Sequence, residues 1–239
     1  MTGILVQLAV SFLLIYFIEK KDLSVLGFKP TRPRMTDLFL FMIVSAFLAA
    51  TGYWWREFFG NEVWRRNPDF SFMLLVDGIW WNLKSVLFEE LIFRGVLFYI
   101  LMVRIGVWKA ILISSIAFGI YHWFSYNVLG DPVQMIYVFL VTALAGVLYA
   151  YAYARTGSLY APIAMHFGWN FTKLFIFSDG PIGNGLLIRE TIGTDVTVSY
   201  ALYYFITLSP VILFLVINFA LAKFRGRVVP GIEFGKSTL

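Results

Sequence analysis

The sequence predicts an all-α protein, a polytopic transmembrane helical bundle, and two observations carry that prediction. Hydrophobic residues make up 60% of the 239 residues and charged residues 14%, whereas soluble domains average about 45–50% and about 25%. The mean hydropathy is +0.78, and the apolar residues are concentrated in runs long enough to cross a bilayer. A soluble domain of this length could not bury so much apolar surface in a single core.

Seven apolar runs define the predicted helices, because about 17–25 such residues cross the ~30 Å of hydrocarbon. In chain order the runs are 3–18, 36–55, 70–103, 106–124, 132–153, 159–178 and 200–222. Charged or turn-forming residues separate them, and a polar loop occupies 179–199. No cation precedes the first run, so it is predicted to be a span rather than a signal peptide. Because no repeat is visible, residues 1–239 are predicted to form one integral-membrane domain with a motif-bearing core at about 70–178.

The longest run, 70–103, is too long for one upright span and too short for two. Its 34 residues would form a helix of ~51 Å. If it crosses once, 12 of the 19 Lys and Arg residues fall on one side of the membrane, four on the other, and three inside spans. The positive-inside rule then predicts seven spans, with eight as the alternative, an outside N-terminus and a cytoplasmic C-terminus. Residues 70–82 are predicted to be partly interfacial, and a basic tail (Lys223, Arg225, Arg227 and Lys236) is predicted to contact anionic lipid.

The first polar motif inside a predicted span is Glu89-Glu90-x-x-x-Arg94. Glu90 and Arg94 stand four residues apart, so they share a helix face and can form an ion pair. Glu89 is rotated by about 100° from Glu90, which leaves it outside that pairing. A carboxylate placed so in a low-dielectric region suits a general base working near neutral pH. The alternative is a structural charge cluster that faces a wet cavity.

Two further motifs contain both histidines of the chain, and both lie in predicted spans. Phe118 precedes His122 by four residues, and His166 precedes Asn170 by four, so each pair shares a helix face. Counted from the cytoplasmic boundary, Glu89 lies ~22 Å deep, His122 ~24 Å, Asn170 ~17 Å and His166 ~11 Å. Three helices are therefore predicted to direct a carboxylate, two imidazoles and an amide at one cavity. The alternative for each histidine is a hydrogen bond between helices.

The composition of this cavity limits its chemistry. The chain has no Cys, and Ser115 is seven residues from His122, which disfavours a serine hydrolase. We therefore expect Glu89 and His122 to activate a water molecule. His166 and Asn170 are expected to stabilise the oxyanion that forms when this water attacks an amide.

The three motifs in this order resemble those of the CPBP family of intramembrane glutamic endopeptidases, the CAAX protease and bacteriocin-processing group also called Abi. The resemblance covers about Glu89 to Asn170. It implies a peptidase with catalytic Glu89, His122, His166 and Asn170, supported by Glu90, Arg94 and Phe118. It also implies about eight helices, a peptide or protein substrate at the lipid bilayer and no cofactor. The compact chain favours a prokaryotic cell membrane.

Three alternatives remain at this stage. A zinc-dependent membrane protease would use Glu89, His122 and His166 as ligands, although the sequence lacks a His-Glu-x-x-His motif. A non-enzymatic transporter or proton relay also places acids and histidines within the membrane. A bacteriocin-immunity protein would bind a peptide without cleaving it. Nucleic acid is not expected as a partner, because the excess of basic residues is assigned to cytoplasmic loops, and the oligomeric state is not predicted.

Overall fold

A computed structural model of the chain describes residues 2–180, 183, 185–190, 198–227, 229 and 234. The described chain is helical, as the apolar runs predict. The helices are α1 Thr2–Glu19, α2 Arg32–Gly60, α3 Phe72–Phe93, α4 Val96–Ile105, α5 Val107–Ser125, α6 Pro132–Thr156, α7 Tyr160–Phe171 and α8 Tyr200–Phe224. A 3₁₀ turn (Leu23–Leu26) precedes α2, and a π-helical turn (Thr172–Ile176) follows α7. Lys236, the last residue of the predicted basic tail, lies outside the described residues.

Within the described residues, five helices are long and apolar enough to cross a membrane, and they are α1, α2, α5, α6 and α8. Helix α3 contains four charged residues (Asp77, Lys84, Glu89 and Glu90), and α7 has only 12 residues. The chain is thus built as a multi-pass membrane protein, while the count of seven or eight spans stays a prediction.

The run 70–103 is not one long helix but two, α3 and α4, and the break lies at Arg94–Gly95. A Cβ atom added to Gly95 would lie 2.0 Å from the carbonyl oxygen of Leu91, so only glycine fits here. Hydropathy alone does not detect this break, because residues on both sides of it are apolar.

Two short strands were not predicted from the sequence. Strand β1 (Val63–Arg66) pairs antiparallel with β2 (Leu187–Glu190), and Val63 lies opposite Glu190. We call this pair the ribbon. Half of the residues in each strand are charged. Strand β2 lies within 179–199, which the sequence predicts to be a polar loop. Apart from this ribbon, the elements in the described part of the chain are helices.

The described residues divide into two compact units, and the first comprises 1–38, 87–163 and 218–239. Helices α5 and α6 pack closely in this unit because glycine lies at their contact. A Cβ atom on Gly119 would lie 2.7 Å from the Phe139 ring, and one on Gly146 would lie 3.1 Å from the Ser115 Cα. Small residues allow such close approach between helices in a membrane. Asp37, which is 1% exposed, accepts hydrogen bonds from Arg225 and Arg227.

The second unit comprises 39–86 and 164–217. Here Gly168 of α7 lies against the backbone of α2, since a Cβ atom on it would be 2.4 Å from the Met42 carbonyl oxygen. Tyr53 of α2 stacks on Phe177 with ring centroids 4.0 Å apart. The Tyr53 hydroxyl donates to Asp179 Oδ2 at 2.9 Å, so an aromatic and polar cluster joins α2 to the segment after α7.

Candidate active site

The end of α3 holds a fully buried ion pair. Arg94 Nη1 lies 3.3 Å from Glu90 Oε1, and both side chains are 0% exposed. Arg94 Nη2 also donates to the Gly146 carbonyl oxygen of α6 at 3.3 Å. The guanidinium lies 4.1 Å from the Phe118 ring centroid and 5.2 Å from that of Tyr149. The pairing expected from the i,i+4 spacing is therefore present, and it joins α3 to α5 and α6.

The backbone of α5 fixes the orientation of His122. Its Nδ1 atom lies 2.7 Å from the carbonyl oxygen of Phe118. A carbonyl oxygen only accepts hydrogen bonds, so Nδ1 carries the proton and donates to it. In the neutral ring Nε2 is then the acceptor.

Glu89 and His122 lie side by side, as the depth estimate predicted. Glu89 Oε2 is 3.8 Å from His122 Nε2, and the two side chains are 13% and 9% exposed. This separation exceeds a direct hydrogen bond of about 2.7–3.2 Å. It matches the span of a single water molecule that contacts both atoms.

Aromatic rings surround His122. The ring centroids of Phe118, Tyr121 and Tyr126 lie 4.4, 5.3 and 5.6 Å from the imidazole. Tyr126 is 63% exposed, whereas Phe118 is 2% exposed, so the aromatic shell is more open on the Tyr126 side.

Sequence reasoning missed three tyrosines around this pair. Tyr121 and Tyr126 stand one residue before and four residues after His122, which is a spacing that could have identified them. Tyr149 reaches Arg94 from α6, and no local pattern links it to the motifs.

The other two predicted catalytic residues belong to α7 in the second unit. His166 is 5% exposed, and Asn170 follows it by one helical turn and is half-buried. The neighbouring Trp169 packs against Phe214 with ring centroids 4.5 Å apart. The proximity of Glu89 to His122 is found, while the convergence of all four residues on one cavity stays a prediction.

The described residues contain no group of three or more His, Cys, Asp and Glu side chains placed to hold a metal ion. The zinc alternative needs Glu89, His122 and His166 in such a group. Independence from a cofactor nevertheless stays a prediction, and a chelation experiment tests it below.

Comparison with known proteins adds one finding. Residues 71–172 match the model of a family described as Rce1-like, type II CAAX prenyl endopeptidase. No curated protein and no solved structure matches the chain.

The matched stretch contains all seven residues of the three motifs, in order. It begins one residue before α3 and ends at Thr172, the first residue of the π-helical turn after α7. Over this stretch the chain is therefore similar to the Rce1-like proteins of the CPBP (Abi) family, whose description is that of a hydrolase acting on peptide bonds.

Proposed function

We propose that the protein is an intramembrane endopeptidase that hydrolyses a peptide or protein held at the bilayer, by means of a water molecule activated by Glu89 and His122. One observation carries the proposal: Glu89 Oε2 and His122 Nε2 face each other at 3.8 Å inside an aromatic shell. The hydrogen bond from Nδ1 to the Phe118 carbonyl oxygen makes Nε2 the accepting nitrogen of the neutral ring, which supports our assigning the water to Nε2.

In the first step the water molecule loses a proton to the Glu89 carboxylate. Its oxygen forms a bond to the carbonyl carbon of the scissile peptide, and the carbonyl electron pair moves onto the carbonyl oxygen. The partly buried setting strengthens the electrostatic interactions of the base with this water. His122 Nε2 accepts the second hydrogen of the water and so holds it in position for attack.

In the second step the tetrahedral intermediate collapses. The oxyanion electrons re-form the carbonyl, the carbon–nitrogen bond breaks, and the proton taken up by Glu89 passes to the leaving amine. The products are a carboxylic acid and an amine, and Glu89 returns to its carboxylate form. No covalent intermediate with the enzyme forms in this sequence.

We assign the oxyanion to His166 and Asn170. Both side chains carry N–H donors and lie one turn apart on α7, so they can donate to one oxygen. Oxyanion donors act by stabilising charge that develops only in the transition state.

Glu90 is unsuitable as the base, although it is adjacent to Glu89. It is 0% exposed and held by Arg94 at 3.3 Å, so proton uptake would strand a buried cation. We therefore give Glu90, Arg94 and Phe118 supporting roles, in which they fix the end of α3 against α5.

The test uses Glu89→Gln with Asp77→Asn as its matched control, since both remove one carboxylate from α3 and Asp77 is exposed. Each variant is reconstituted in liposomes with a peptide library, and the products are identified by mass spectrometry. Glu89→Gln is expected to lose at least about 10³-fold in cleavage rate, and Asp77→Asn to retain the wild-type rate. Wild-type cleavage by Glu89→Gln would overturn the assignment of the base.

The oxyanion and metal assignments are tested in the same assay. Asn170→Ala is expected to lose about 10²–10³ in rate while retaining measurable cleavage, because one donor remains. Phenanthroline is expected to leave the wild-type rate unchanged. Loss of activity together with one zinc per chain, restored by added zinc, would replace this mechanism with the metal-dependent alternative.

A further inference from the structure

The junction between α4 and α5 carries a surface pocket that the proposed catalysis does not use. Its volume is about 410 Å³, and it is lined by Arg104, Ile105, Lys109, Leu112 and Ile113. This volume falls within the range of about 300–1,000 Å³ that is typical of ligand sites. All five residues belong to the first unit.

The break between the two helices brings the two cations to one pocket. On a continuous α-helix Arg104 and Lys109 would lie about 140° apart around the axis. Between them Gly106 adopts φ 88° and ψ 157°, a conformation that side chains disfavour. The chain therefore turns here, and both side chains line the same pocket.

The pocket is positively charged, and its two cationic side chains are exposed. Arg104 pairs with Glu19 at 2.8 Å and still has a side chain that is 59% exposed. Lys109 is exposed as well and makes no hydrogen bond or ion pair with the described residues. With Glu19 included, the three groups leave a net charge of one positive unit for an anion.

The apolar lining continues from the cations into the membrane-spanning part of α5. Leu112 and Ile113 are 58% and 46% exposed, and they follow Lys109 by about one helical turn, or about 5 Å along the axis. Cations at the end of a span followed by exposed apolar side chains match the order of headgroup and acyl chain in a phospholipid. A free phosphate ion would make no favourable contact with these apolar side chains.

We propose that this pocket binds an anionic phospholipid, with its phosphate at Arg104 and Lys109 and an acyl chain against Leu112 and Ile113. Basic pockets at the ends of membrane helices bind lipid headgroups in this manner. The predicted basic tail is less suited to this role, because Arg225 and Arg227 are both engaged by Asp37.

The test measures bound lipid by native mass spectrometry on the full chain, purified in a mild detergent with equal amounts of phosphatidylglycerol and phosphatidylcholine. The wild type is expected to retain phosphatidylglycerol preferentially. Arg104→Gln with Lys109→Gln is expected to weaken that retention roughly tenfold. Lys29→Gln with Arg32→Gln, which removes two exposed cations outside the pocket, is expected to have no effect.

Two further measurements separate a lipid from a soluble anion. Leu112→Ala with Ile113→Ala is expected to reduce retention, and millimolar glycerol phosphate is expected not to displace the lipid. Equal retention of the two lipids by the wild type would overturn the proposal. So would equal losses in the two charge variants, or displacement by glycerol phosphate.

Discussion

The buried ion pair at the end of α3 and the ion pairs of the ribbon use the same chemistry in opposite surroundings. Glu90 and Arg94 are 0% exposed and lie 3.3 Å apart. Arg65 and Glu190 of the ribbon lie closer, at 2.7 Å, with side chains that are 65% and 45% exposed. Distance alone would rank the ribbon pair as the stronger.

Burial reverses that ranking when the pairs are compared by the stability lost on removing one partner. An exposed pair is screened by water and contributes about 0–1 kcal/mol. Removing one partner of a buried pair leaves an uncompensated charge in a low-dielectric region, which costs about 3–5 kcal/mol. The same argument separates Glu90, which is held in this buried pair, from Glu89, to which the proposed function gives a chemical role.

The largest effect on folding is expected for Glu90→Gln. The variant keeps the volume of the side chain but leaves Arg94 as a buried cation without its carboxylate. We expect the free energy of unfolding to fall by about 3–5 kcal/mol, measured by thermal or denaturant unfolding in detergent. A change below 1 kcal/mol would show that the pair is accessible to water and would remove the contrast with the ribbon.

A double variant is the control for this prediction. Glu90→Leu with Arg94→Met removes both charges and replaces them with apolar side chains of similar size. The free energy of unfolding of this double variant is expected to recover most of the loss seen in Glu90→Gln, because no uncompensated charge remains.

An intermediate effect is expected at Tyr53, which is 2% exposed but donates to a half-exposed carboxylate, Asp179. Tyr53→Phe keeps the stacking on Phe177 and removes only the hydroxyl. We expect a loss of about 1–2 kcal/mol in the free energy of unfolding. Tyr16→Phe, at a hydroxyl with no hydrogen bond to the described residues, is the matched control and is expected to change nothing.

Two kinds of sequence reasoning predicted parts of the site: spacing within one helix, and an estimate of depth in the membrane across two helices. The Glu90–Arg94 pair follows from residues four apart, and the depth estimate placed Glu89 level with His122. The break at Gly95 was missed because it depends on a backbone contact to Leu91 that hydropathy does not register.

Contacts between distant segments could not be predicted in this way. The ribbon joins residues more than 120 positions apart, and each of its strands has only four residues. Tyr149 reaches Arg94 because Gly146, one turn earlier on α6, lets that helix approach α5. A single sequence contains no periodic signal for either arrangement.

The smallest effect is expected at the ribbon itself, and salt provides the sharpest comparison with α3. Arg65→Gln removes the cation from the exposed pair with Glu190, and we expect the free energy of unfolding to change far less than in Glu90→Gln, even at low ionic strength. At about 1 M salt the Debye length falls to about 3 Å, so the wild type and Arg65→Gln should unfold alike. The deficit of Glu90→Gln should persist at the same salt concentration, because ions do not reach a side chain that is 0% exposed. A salt-independent loss for Arg65→Gln as large as that of Glu90→Gln would mean that the ribbon pair is shielded from water, and burial would then no longer distinguish the two regions.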